Sequence, residues 1–144
     1  MFGGQILLGA GMIALTVVVH VIGIIVLIRL LRGSFVRKDG PQSVFYMVGM
    51  LVFTVLALFF VHTIEIWLWA VLYLGLGNFE DMERALYFST VTFTTLGYGD
   101  ITLLPRWQLL SAFEATNGIV LFGVSTAFIF NVIQRLQSYT SDPS

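Results

Sequence analysis

Apolar residues run through this chain in long unbroken stretches. Ile6 to Ile28 carries no formal charge, and His20 is its only titratable side chain. At about 23 residues it exceeds the roughly 20 needed to cross ~30 Å of hydrocarbon as a helix. Val44 to Leu76 is longer, interrupted only by His62 and Glu65. At about 1.5 Å per residue it predicts a helix that tilts or protrudes from a bilayer. Trp107 to Ile133 is the third stretch, with Glu114 its one charge and Pro105 just ahead, where a helix tolerates proline in its first turn. Three spanning helices are therefore predicted.

Between the second and third stretches, Gly75-Leu76-Gly77-Asn78 breaks the helix, and either Asn78 or Asp81 can cap a new one running to about Phe93. That helix is roughly 20 Å long, too short to cross and too apolar to sit in water. A re-entrant element buried in protein is the economical reading. Thr94 to Asp100 is then irregular backbone at membrane depth, tolerated only where it lines a water-filled path.

Composition agrees, with 58% hydrophobic and only 10% charged residues. A net charge of −1 without a dense basic patch argues against a nucleic-acid partner, and the absence of cysteine excludes disulfides and thiolate chemistry. The first stretch lacks the basic start and short apolar core of a cleaved signal peptide, and reads as a retained helix. Arg29, Arg32, Arg37 and Lys38 cluster at the first connection and Arg135 follows the third span, whereas the opposite side carries only Arg84 and Arg106. The positive-inside rule then places the N-terminus outside and the C-terminus in the cytoplasm.

The segment Thr95-Leu96-Gly97-Tyr98-Gly99 carries the chemistry. Gly97 and Gly99 adopt positive φ at little cost, which lets successive carbonyls point toward one axis while larger residues pack outward. Such carbonyls replace the water around a dehydrating cation, and the Thr95 hydroxyl adds an oxygen at the inner end.

From Ala85-Leu86-Tyr87-Phe88-Ser89 through Thr94-Thr95-Leu96-Gly97-Tyr98-Gly99-Asp100, the chain resembles the pore loop of the potassium channel superfamily. The resemblance continues into Gly118-Ile119-Val120-Leu121-Phe122-Gly123, which is similar to the hinge of that family's pore-lining inner helix, and covers roughly Val44 to Leu136. It implies an all-α membrane protein of three transmembrane helices plus a re-entrant pore helix and filter loop, assembled as a fourfold channel. Residues 1–40 would hold an extra helix and a basic cytoplasmic loop. Residues 41–144 would form the pore domain, with outer helix 43–76, pore helix 81–93, filter 95–99 and inner helix 105–137. One loop per chain implies a homotetramer with three identical subunits, passing K+ passively and catalysing no reaction.

By the same resemblance, K+ ions are held at Thr95, Leu96, Gly97 and Tyr98, with Gly99 closing the filter and no other cofactor. Tyr87, Asp100 and Glu114 would support the filter and outer mouth, Gly118 would be a hinge, and Thr126 and Phe130 would lie at the cavity and gate. The expected setting is a plasma membrane, a prokaryotic inner membrane by size, with membrane lipids as partners. About ten residues follow the third span, so gating is expected from the membrane region, lipid, pH or a partner.

Leucine at 96 replaces the usual valine, and Tyr87 and Phe88 stand where many members carry tryptophans. Phe88 cannot donate a hydrogen bond, Tyr87 can reach Asp100, and Val91 replaces a glutamate of some members. A poorly selective cation channel is the alternative; a transporter subunit and a non-conducting regulatory subunit fit the single intact loop less well.

Other polar residues carry two readings each. Glu80, Asp81, Glu83 and Asp100 make either an acidic ring that concentrates cations or a solvated rim. Glu65, about 32 Å along the second span, is expected near the outer interface, touching water or headgroups. Glu114, about 10 Å below the surface, should face the pore helix, with His62 a possible partner at similar depth. Gly118 suits a bend or a close helix contact. Arg29 and Arg32 are too few for a voltage sensor, and His20 is expected to pack or hydrogen-bond.

Overall fold

The structure, a computed structural model, describes residues 2–35 and 43–138. Arg37 and Lys38, used above to orient the chain, lie outside the described residues. Helix α1 spans Phe2–Phe35, α2 Val44–Gly75, α3 Met82–Phe93 and α4 Gln108–Ser138, the last preceded by a 3-10 turn at Pro105–Trp107. There is no strand among the described residues. Three of the helices are long and apolar enough to cross a membrane, so this is an all-α protein with an additional N-terminal spanning helix. The first helix exceeds the 6–28 apolar run at both ends, because neither glycine near its start nor arginine near its end stops a helix.

Helix α2 ends where the glycines lie. Gly77 takes φ +68°, its N–H donates to the Leu74 carbonyl at 3.0 Å, and Asn78 N–H donates to the Tyr73 carbonyl at 3.1 Å. These two bonds form a Schellman cap, and the positive φ explains the glycine. Asn78 does not cap the next helix; its side-chain oxygen accepts from Leu104 N–H at 3.1 Å instead. Asp81 is the cap, accepting from Arg84 N–H at 2.8 Å.

Helix α1 lies antiparallel to α2 and parallel to α4, and its buried positions fall in one stripe, Gly9, Thr16, His20, Leu27 and Leu31. Their spacing of four and seven is the helical period. Two glycines in or beside this stripe allow close approach: a Cβ on Gly23 would lie 2.6 Å from Val61, and one on Gly9 would collide with the Phe113 ring. Apolar residues gather in two clusters. One, around Trp69, Tyr73, Phe88, Phe93, Leu110 and Leu121, sits behind α3. The other, around Leu27, Leu31, Met50, Leu58, Val132 and Leu136, closes the far end. A layer of buried polar side chains separates them: Thr16, His20, His62, Glu65, Asn117 and Ser125.

Candidate functional site

Helix α3 buries Ala85, Phe88, Ser89 and Phe93, a single face at helical spacing that packs against α2 and α4. Its far end shapes the loop that follows. Thr94 is the C-cap, Thr95 N–H donates to the Thr92 carbonyl at 2.9 Å, and Leu96 N–H donates to the Val91 carbonyl at 3.0 Å. This is a second Schellman cap, with threonine at φ +61° where glycine is usual. A β-branched residue there is strained by about 1–3 kcal/mol, a cost that concentrates at functional positions.

Past Thr95 the backbone alternates: Gly97 has φ +55° and Gly99 φ +75°, while Leu96 and Tyr98 keep negative φ. In an extended strand successive carbonyls point to opposite sides, whereas alternating hands of φ turn them toward the same side. The first three donors of this loop are tied down, since Gly97 N–H also reaches the Val91 carbonyl at 3.2 Å. Its acceptors are not: among the described residues no carbonyl of Thr95 through Gly99 accepts a hydrogen bond. Leu96 and Tyr98 are 56% and 65% exposed on the single chain. Behind the loop, a groove of about 500 Å³ runs between Tyr87, Thr92, Gly97, Asp100, Ser111 and Ala115.

Two carboxylates tie together the elements that carry this segment. At the rim, the Tyr87 hydroxyl donates to Asp100 at 2.7 Å, and this bond holds the Tyr87 phenol above the usual tyrosine range. Deeper, Glu114 is fully buried and accepts from the Tyr73 hydroxyl at 2.7 Å and from the Ser89 hydroxyl. Ser89 also contacts the Ile66 carbonyl at 2.9 Å. One carboxylate thus joins α2, α3 and α4 directly behind the loop. Phe88 is not a donor but a packing residue, with its ring 5.3 Å from those of both Tyr73 and Phe79.

His62 does not pair with Glu114. Its Nδ1 lies 2.8 Å from Glu65 and its Nε2 2.9 Å from Ser125. Helix α2 extends to Gly75, so His62 lies about 11 residues, or roughly 16 Å, below the Tyr73 level that Glu114 occupies. Ser125 is the same step below Glu114 on the antiparallel α4. Glu65 does not meet headgroups either: it is fully buried, and its other oxygen contacts His20 Nδ1 at 2.9 Å, because α1 covers that face of α2. Sequence reasoning missed this convergence, since nothing in the spacing places α1 beside α2 at that register.

On α4, Gly118 meets the Phe93 carbonyl where α3 ends, and a Cβ there would collide with that oxygen. Close packing is therefore its role in this structure. Thr126 and Phe130 sit one turn apart on an exposed face, the Thr126 hydroxyl bonded to the Phe122 carbonyl at 2.9 Å and Phe130 58% exposed. Glu80, Asp81, Glu83 and Asp100 are all exposed beside the loop. Arg32 and Arg135 line a groove at the opposite end of the bundle.

Residues 50–135 match the model of an ion channel family, a span that includes most of α2, all of α3, the loop and α4 as far as Arg135. No curated protein and no solved structure matches the chain.

Proposed function

Since this chain belongs to the ion channel family, its model matching well over half the residues, we propose that it is a K+-selective channel subunit. It conducts passively through Thr95, Leu96, Gly97, Tyr98 and Gly99, and no cofactor beyond K+ takes part. The observation that carries this reading is the row of free carbonyls on a loop of alternating φ, anchored at its start by the N–H groups of Thr95, Leu96 and Gly97. A cation stripped of its water needs such oxygens, and the alternating φ presents them on one side. Glycines at two of the three left-handed positions make the row affordable to fold.

Four copies supply four rows around one axis, so the functional unit is a homotetramer. The exposed filter side chains and the groove behind them are the surfaces that neighbouring copies would cover. The protein is a multi-pass membrane protein, which we assign to a plasma membrane with the N-terminus outside. Arg29, Arg32 and Arg135 then face the cytoplasm, and the acidic rim faces outward. Thr126 would line the cavity, Phe130 would form a hydrophobic constriction, and any bend of α4 at Gly118 would have to break its contact with Phe93.

The test is the reversal potential of purified protein in planar bilayers with K+ on one side and Na+ on the other. A value near the K+ equilibrium potential supports selectivity. A value near zero assigns a poorly selective cation channel instead, and a reproducible absence of current leaves a closed channel or a non-conducting subunit.

A further inference from the structure

His20 from α1 and His62 and Glu65 from α2 converge in the buried polar layer, where the His62 ring lies 6.0 Å from that of Phe93 at the end of α3. Their ligand-type atoms all lie within 4.8 Å of one another, and all three residues are buried. Both Nδ1 atoms aim at the Glu65 carboxylate, at 2.9 Å and 2.8 Å, one to each oxygen. Both Nε2 atoms aim the other way, at one hydroxyl: Ser125 Oγ lies 2.9 Å from His62 and 3.5 Å from His20.

We propose that His20, His62 and Glu65 form a binding site for a divalent transition-metal ion of the zinc class. Two imidazole nitrogens with one carboxylate oxygen suit zinc, copper, iron or nickel, and disfavour magnesium and calcium, which take oxygen. Zinc sites with three protein ligands, two histidines and a glutamate, leave a fourth position open. Ligands held at about 2.0–2.2 Å from one ion stand up to roughly 4 Å apart, so the cluster needs to close by about 1 Å, within reach of side-chain rotation.

Ser125 supports this assignment. When an ion takes the two Nδ1 positions, each ring carries its proton on Nε2 and needs an acceptor. A serine oxygen has two lone pairs, and Ser125 stands where both rings point. A hydrogen bond to the outer nitrogen of each ligating histidine fixes its tautomer and orientation. With only protons in the cluster, the serine has one hydrogen for two facing nitrogens. The single carboxylate leaves one net positive charge on the metal-bound site, so binding is weaker than in a closed structural zinc site. His62 and Ser125 keep the slight exposure through which an ion enters, 7% and 6%.

The experiment uses the full chain, purified without a polyhistidine tag, stripped with a chelator and titrated with Zn2+ or Co2+. One ion per chain is expected by elemental analysis after gel filtration, with a Co2+ absorption band of low-symmetry nitrogen and oxygen ligation. His20→Gln and His62→Gln should each lose the ion while eluting at the wild-type volume. Ser125→Ala should bind at least tenfold more weakly while folding normally, since it removes the orienting acceptor and no ligand. Substoichiometric uptake by the wild type, or equal uptake by correctly eluting His20→Gln and His62→Gln proteins, overturns the proposal. Either result leaves the cluster a metal-free hydrogen-bonded contact. Ion uptake is read without current, so its outcome is independent of the selectivity test.

Discussion

The Tyr73 hydroxyl donates to the Glu114 carboxylate at 2.7 Å, tying α2 to α4. Ser89 reaches the same carboxylate from α3, so one side chain joins three helices. Replacing Glu114 by alanine strands the Tyr73 hydroxyl, which has no other acceptor among the described residues. A buried hydroxyl left unpaired costs about 1–3 kcal/mol. Glu114→Ala should therefore lower the melting temperature of the detergent-solubilised protein clearly more than Glu114→Gln, which keeps one acceptor oxygen. Equal losses would show that the carboxylate charge, not its acceptor geometry, holds the contact.

Gly118 and Gly123 lie on the same helix, but only Gly118 touches another element. A Cβ on Gly118 would collide with the Phe93 carbonyl, while one on Gly123 meets nothing within 4 Å. Overpacking of this kind costs about 1–3 kcal/mol. Alanine in place of a helical glycine with free space gains up to about 1 kcal/mol. Thermal melts of Gly118→Ala and Gly123→Ala should therefore shift in opposite directions.

Thr95 and Gly97 share a left-handed backbone, at φ +61° and +55°. Thr95→Gly should leave the fold intact or gain about 1 kcal/mol, because a residue other than glycine pays that much or more in this conformation. Its K+ current should nevertheless fall, since the proposed inner-end hydroxyl is gone. Gly97→Ala should lose about 1 kcal/mol of stability and abolish conduction by turning a carbonyl off the row. Single-channel recording beside thermal denaturation separates the two effects.

The Tyr87–Asp100 bond carries a pH signature at the rim. Hydrogen bonding to Asp100 above all, then desolvation and the Asp100 charge, raises the Tyr87 phenol above its unfolded value. The stabilisation is thus fully present below pH ~10, the unfolded tyrosine value, and is lost as pH rises through the higher folded value, where phenolate faces carboxylate. Current sustained at neutral pH should decline on the alkaline side in the wild type. In Tyr87→Phe it should already be altered at neutral pH and show no such alkaline step.

Much of this protein was legible in the residues alone. Apolar runs longer than a bilayer is thick can only be spanning helices, and this determined the all-α class and the count of three. The glycine pair at 75 and 77 marked the end of α2, and the short apolar stretch after the two candidate caps Asn78 and Asp81 marked α3, because capping and φ preferences are local properties. Glycines at 97 and 99 announced an unusual backbone for the same reason.

What only the tertiary structure decided is which helix faces lie against one another, and at what height. A uniformly apolar helix has no periodicity to say which side is covered, so the sequence placed Glu65 near headgroups and left His62 as one candidate partner for Glu114. The real levels follow from the full length of α2 and its antiparallel register with α4, which sets Glu114 beside Tyr73 and His62 beside Ser125. The left-handed Thr95 was equally hidden, since its cause is a helix cap made by bonds back to Val91 and Thr92. Helix formation is decided within a few residues, but the pairing of buried polar groups is decided by packing between segments about 45 to 105 positions apart, as in His20 with Glu65 and Ser125.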